Sequence, residues 1–164
     1  MEVVVIIHNI RSAHNVGAIL RTCDGFGASR VYFTGYSPYP TQINDSRLPH
    51  IRNKLTGQIH KTALGAEINV PNEHVTDVIG LLNQLKTKGF QVVALEQSPK
   101  SVNLTTFKPR QRLALLLGEE VKGITKGLLD ICDAAIEIPM VGKKESFNVS
   151  VATGIALYQL CLRR

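Results

Sequence analysis

Val3-Val4-Val5-Ile6-Ile7 is an uninterrupted run of β-branched aliphatic residues, and it constrains the fold more than any other feature of the chain. A strand with one wet face alternates apolar and polar side chains, whereas a strand with no polar face has to be covered on both sides. Phe90 to Leu95 and Leu113 to Leu117 come close to the same pattern, and Val31-Tyr32-Phe33 and Ala135 to Ile138 are shorter strands. Between the strands the period changes. Val16, Ile19, Leu20, Cys23 and Phe26 fall near helical spacing, with Gly25 and Gly27 placed to end the helix. Val78, Ile79, Leu81, Leu82 and Leu85 mark a helix from Thr76 to Lys88, stopped by Gly89. Ile124 to Ile131 reads as a short helix, and Val149 to Leu162 closes the chain as another. Such alternation predicts an α/β fold, a mostly parallel sheet with helices on both faces. In 164 residues with 44% hydrophobic content, a single domain over 1–164 is expected.

Lys and Arg outnumber Asp and Glu by 19 to 13, a net charge of +6 that suits a polyanionic partner. Cys23, Cys132 and Cys161 are far apart and form no CxxC pair, so the sequence calls for neither a disulfide framework nor a metal site. A reducing compartment fits best. The N-terminus lacks a basic segment ahead of its apolar run, and no apolar stretch approaches the ~18 residues of a membrane span, so a cytoplasmic protein is expected.

The stretch Thr34 to Asn72 is too long for a plain connection in so small a domain. Within it, Arg47, Arg52, Lys54 and Lys61 stand with His50 and His60 and no acid from residue 47 to residue 61. This segment is either a solvated surface helix or an RNA-contacting element.

Ligands of an open parallel sheet bind outside the carboxyl ends of its strands. Three loops at such ends are unusual. His8 to Gly17 crowds Asn9, Arg11, Ser12, His14 and Asn15 between a strand and a helix, with Arg21 further along that helix. Asn15 or Ser12 would serve as a helix cap, which accounts for one of these residues and leaves the others. Leu117 to Ile124 sets Glu119 and Glu120 after Gly118, where a helix dipole would favour acids in any case. Ile138 to Ser150 is basic and hydroxyl-rich, with Ser146 resembling a cap of the last helix. There is no GxxxxGK[ST] phosphate loop, no GxGxxG after the first strand, no GxSxG elbow and no HExxH.

In this order the loops resemble the three signature motifs of the SpoU/TrmH branch of the SPOUT RNA 2′-O-ribose methyltransferases. The first is carried by Asn15-Val16-Gly17-Ala18-Ile19-Leu20-Arg21-Thr22-Cys23, and the second by Leu116 to Ile124. The third runs from Ile138-Pro139-Met140 through Ser146-Phe147-Asn148-Val149-Ser150-Val151-Ala152. The resemblance implies a C-terminal deep trefoil knot, which strand patterns do not reveal. It implies S-adenosylmethionine held by Leu95, Glu96, Gly118, Ile138 and Phe147, largely through backbone groups, and a homodimer formed through the knot. It assigns catalysis to Asn15, Arg21, Glu120, Ser146 and Asn148, with Asn15 and Glu120 positioning Arg21. The reaction implied is in-line attack of a ribose 2′-oxygen on the sulfonium methyl. The RNA is transfer or ribosomal, with a lean to transfer RNA. Phe147 stands where the family more often has Leu, and Glu119 where it more often has Asn, Ser or Thr. Without a separate RNA-binding domain in view, recognition falls to Arg11, Arg47, Arg52, Lys54, Lys61, Lys143, Lys144 and the terminal Arg163-Arg164, or to the partner subunit. The alternative from another class is a knotted dimer that binds RNA without methylating it.

Overall fold

The computed structural model describes residues 1–162. Seven strands form one sheet, in the order β3 (Asn72–His74), β2 (Arg30–Thr34), β1 (Glu2–His8), β6 (Arg112–Leu117), β4 (Gln91–Leu95), β7 (Ala134–Glu137) and β5 (Val102–Asn103). Every pair of neighbours is parallel. The expected α/β sheet is therefore present, and the β1 run is an interior strand, between β2 and β6.

Its side chains alternate between two cores. Val3, Val5 and Ile7 enter one apolar cluster, shared with α1 (Ala13–Gly25), α2 (Pro49–Ala63), α3 (Ala66–Asn69) and α6 (Val149–Leu162). Val4 and Ile6 enter the other, with α4 (Val78–Thr87) and α5 (Lys126–Ile131). Helices thus cover both faces, which is why β1 has no polar alternation. Cys23 is a free thiol inside the first cluster and Cys132 one packed against the second, where burial pushes it up to about 11. No helix of the described residues is long and apolar enough to cross a membrane.

The stretch 34–72 contains α2 and α3, and α2 covers most of the basic segment 47–61 for which a surface helix was one of the two readings. Pro49 opens α2 in the first turn, where its missing N–H costs nothing, and Leu64 closes it in a left-handed conformation at φ 52°. Only Ile59 and Ala63 of α2 are buried, so its apolar signal is faint. The helix lies directly on α1: a Cβ at Gly17 would come within 2.3 Å of the Ile59 carbonyl oxygen. Thr62 Oγ1 also donates to the carbonyl of His14 at 2.9 Å. The basic helix is thereby fixed beside the polar loop that follows β1.

Candidate active site

The chain runs from β1 outward to β2 and β3, then crosses to β4 on the other side, with β6 inserted later between β1 and β4. The carboxyl ends around this reversal form a crevice. A cavity of about 310 Å³ opens there, within the size range of small-molecule sites. Leu95, Glu96, Gly118, Ile138 and Phe147 all line it, together with Gln97, Glu119, Glu120 and Ser146.

Glu96 ties the cavity walls together. Its carboxylate accepts the backbone N–H of Gln97 at 2.9 Å and that of Ile124 at 2.7 Å. A Cβ at Gly123 would lie 2.3 Å from Glu96 Oε2, and Gly123 holds a positive φ of 66°. A side chain there would both strain the backbone and displace the carboxylate. Gln97 Nε2 in turn donates to the carbonyl of Glu145 at 2.8 Å, linking the loop after β4 to the loop before α6. Gly118 allows close backbone approach, since a Cβ there would meet Ile124 Cγ1 at 2.4 Å.

At the cavity mouth a side chain from the first turn of α1 is joined to side chains from two loops. Asn15 Nδ2 donates to Glu120 Oε1 at 3.1 Å, and Asn148 Nδ2 donates to Asn15 Oδ1 at 3.3 Å. Ser12 caps α1, accepting from the N–H of Asn15, which leaves the Asn15 side chain for this contact. Asn148, not Ser146, serves the start of α6: its Oδ1 accepts from the Ser150 N–H at 2.9 Å and hydroxyl at 2.6 Å. Ser146 instead faces the cavity. Beside them Arg11 pairs with Glu119 at 3.5 Å.

Arg21 corrects one expectation. Asn15 and Glu120 do not hold it, and among the described residues it makes no hydrogen bond or ion pair. Six residues along α1 is one and two-thirds turns, so Arg21 and Asn15 leave the helix in different directions. Arg47 corrects another. Its guanidinium donates to Asp45 Oδ1 at 2.9 Å and Oδ2 at 2.5 Å, and to the carbonyls of Tyr39 and Pro40. Those bonds face the protein's own loop. Arg52 donates to the Asp45 carbonyl, while Lys54, Lys61, Lys143 and Lys144 are exposed. Arg163 and Arg164 lie outside the described residues.

Sequence reasoning did not single out Gln97 or Tyr36. Nor did it give His8 a role. His8 Nδ1 lies 2.8 Å from Thr34 Oγ1, and its Nε2 accepts from Asn9 Nδ2 at 3.1 Å. Burial lowers its pKa, so the neutral ring with hydrogen on Nδ1 satisfies both contacts.

Residues 2–158 match the model of the SpoU rRNA Methylase family. The chain belongs to this family. A tRNA (guanosine(18)-2'-O)-methyltransferase of Aquifex aeolicus (strain VF5) is 32% identical over 158 residues, covering 96% of this chain and 68% of that protein. Relatives from Staphylococcus aureus and Bacillus subtilis are 30–31% identical, and the chain spans 58–60% of their length. Among solved structures, the A. aeolicus TrmH/SpoU tRNA modifying enzyme superposes with a TM-score of 0.77 at 33% identity, over 96% of this chain and 73% of that one. An AdoMet-bound rRNA methyltransferase from Sinorhizobium meliloti gives 0.79 at 26% identity, over 96% of this chain and 55% of that one. These two solved structures share the fold of this chain.

Proposed function

We propose that this chain is an S-adenosylmethionine-dependent RNA ribose 2′-O-methyltransferase, acting on transfer RNA, with 1–164 as its methyltransferase domain. The observation that carries the reading is the convergence of three segments distant in sequence, the start of α1 and two loops, on one cavity mouth through Asn15, Glu120 and Asn148. The tRNA-modifying A. aeolicus relative supports the choice of RNA.

The cavity fits the methyl donor. Leu95, Leu117, Ile136 and Ile138 give it apolar walls, Gly118 leaves backbone accessible, and Glu119 and Glu120 add negative charge that complements a cationic ligand. Bound S-adenosylmethionine supplies an electrophilic methyl group on a positively charged sulfur. The chain's own residues then have to place a ribose 2′-hydroxyl in line and ease the loss of its proton, because an unassisted alcohol is a poor nucleophile. Asn15, fixed between Glu120 and Asn148, is a positioning residue at the mouth, and Ser146 adds a hydroxyl on the cavity side. Arg21 orients a substrate phosphate and stabilises the developing alkoxide. A guanidinium stays protonated, which suits this task better than that of a general base. Arg11, Arg52, Lys54 and Lys61 provide phosphate contacts beside the mouth, a placement supported by the seating of α2 on the first turn of α1 at His14.

The same reading includes the trefoil knot and a homodimer. For the knot, the support is that β6 follows β4 in sequence yet lies between β1 and β4, after which β7 and α6 complete the cavity. For the dimer, it is that α6 carries no charged residue and leaves Val151 49% and Leu162 63% exposed. The three free thiols fit a cytoplasmic setting.

The test is transfer of labelled methyl from S-adenosylmethionine to pools of unmodified tRNA and ribosomal RNA, followed by digestion to nucleosides. Label recovered as a 2′-O-methylnucleoside is the expected result. Label on a base, or none above a blank without the protein, overturns the reading. A second expectation concerns the cofactor alone. Glu96→Ala strands the N–H groups of Gln97 and Ile124, so calorimetric titration should give about tenfold weaker S-adenosylmethionine binding. Affinity within twofold of wild type would show that the Glu96 tie does not shape the cavity.

A further inference from the structure

Tyr36 presents an aromatic ring that is 49% exposed, just past the carboxyl end of β2 and on the same edge of the sheet as the cavity. The Arg11 guanidinium lies over it, 5.7 Å from the ring centroid. Arg11 also pairs with Glu119, whose side chain is only 9% exposed and lines the cavity. Ring, cation and carboxylate therefore form a row that leads from solvent to the cavity.

The backbone under this ring is held with unusual care. Asn9 adopts a left-handed conformation at φ 57°, uncommon for a residue with a side chain, and Gly35 does so at φ 64°. Asn9 Oδ1 accepts the N–H of Tyr36 at 3.1 Å, while Asn9 Nδ2 is anchored on the buried His8 ring. A Cβ at Gly35 would collide with Asn9 Oδ1 at 1.8 Å, so the two left-handed residues need each other. Such local strain collects where a side chain has to be aimed. Yet the lock uses only the main chain of residue 36, so it gives no reason for an aromatic side chain there. Tyr39, three residues on, shows the contrast: its ring is stacked between Arg47 and His74.

We propose that Tyr36, with Arg11 beside it, is the platform on which a nucleobase of the target RNA stacks when its ribose enters the cavity mouth. The inference rests on the RNA methyltransferase reading. Methylation of a ribose in the crevice requires the target nucleotide to leave its neighbours, and an unstacked base is received by an aromatic face or a guanidinium plane. Every base has a π-face, so the platform accepts purines and pyrimidines, while Arg11 adds charge for the adjoining phosphate.

The chain contains no tryptophan, so Tyr36→Trp installs a unique reporter at the platform. This variant is titrated with a pool of unmodified tRNA transcripts while the anisotropy of end-labelled RNA is followed in parallel. The expected result is saturable quenching of the indole in step with RNA binding. In methyl transfer, Tyr36→Ala should raise KM for RNA about tenfold and change kcat less, with Tyr36→Phe restoring KM. RNA binding without any change in indole emission, or a KM within twofold in Tyr36→Ala, overturns the platform. Methyl transfer with a silent indole would sink the platform and leave the methyltransferase standing. A quenched indole with no methyl transfer by the wild type would uphold the platform and sink the methyltransferase.

Discussion

Arg21→Ala is expected to lower kcat for RNA methylation by about a hundredfold or more, the scale seen when one charge-stabilising donor is removed from a transition state. Single-turnover methyl transfer at saturating RNA and S-adenosylmethionine measures it. Two further readouts identify the cause. Cofactor affinity should stay within twofold, because Arg21 does not line the cavity. Thermal stability should barely move, since Arg21 is exposed and makes no bond to the rest of the described chain. Arg21→Lys should recover only part of the rate: an ammonium restores the charge without the planar fork that grips a phosphate through two parallel hydrogen bonds. A protein that only binds RNA would behave differently, losing some RNA affinity in both variants and nothing else. An unchanged kcat in Arg21→Ala would remove Arg21 from the chemistry. It would leave the Asn15, Glu120 and Asn148 cluster to be tested next.

How much of this was legible in the sequence depended on whether side chains announce their surroundings. The β1 run did, because both of its faces are covered and no polar residue fits either one. Strand β3, Asn72-Glu73-His74, did not: three polar residues complete the sheet edge through backbone bonds, with no apolar pattern to mark them. Strand β5 has two residues and the same problem. Helix α2, with two buried positions in fifteen residues, has almost no apolar stripe, so the surface helix offered for residues 47–61 rested on charge and not on periodicity. The cavity was legible through the resemblance, and the five residues assigned to the cofactor do converge. What the motifs left out was direction. Arg21 belongs to the first motif and yet points away from Asn15, and Ser146 looked like a cap whose place Asn148 takes. The role of Tyr36 depends on a left-handed pair, Asn9 and Gly35, whose meeting is a property of two adjacent strand ends and not of either local sequence.

Charge posed the same difficulty, and Arg47→Ala tests it. A cluster of basic residues reads as a surface for RNA, but Arg47 is bound within the loop that leads into α2. Asp45, its partner, has a side chain only 1% exposed, and Arg47 stacks 3.6 Å from the Tyr39 ring centroid, which in turn lies 4.0 Å from His74. Removing the guanidinium leaves the carboxylate with the backbone N–H groups of Gln42 and Arg47 as its protein donors. The expected cost is about 1–2 kcal/mol, since water can take over part of the guanidinium's role, a fall in Tm of roughly 2–8 °C for a chain of this size. The effect should depend on pH. The side-chain hydrogen bond from Arg47 holds the Asp45 carboxyl well below the usual carboxylate range. A depressed value in the folded state contributes stability that is present above the unfolded value, about 3.9, and is lost as pH falls through the folded one. The gap in Tm between wild type and Arg47→Ala should therefore be widest near neutrality and narrow as the pH is taken well below 4. Lys54→Ala and Lys61→Ala, on the exposed face of α2, should do the opposite. They should leave Tm unchanged, weaken RNA binding, and each reduce its salt dependence by about one ion. If Arg47→Ala kept its Tm and lost RNA affinity instead, the Asp45 pairing would be incidental and the basic segment would be a continuous RNA surface from residue 47 onward.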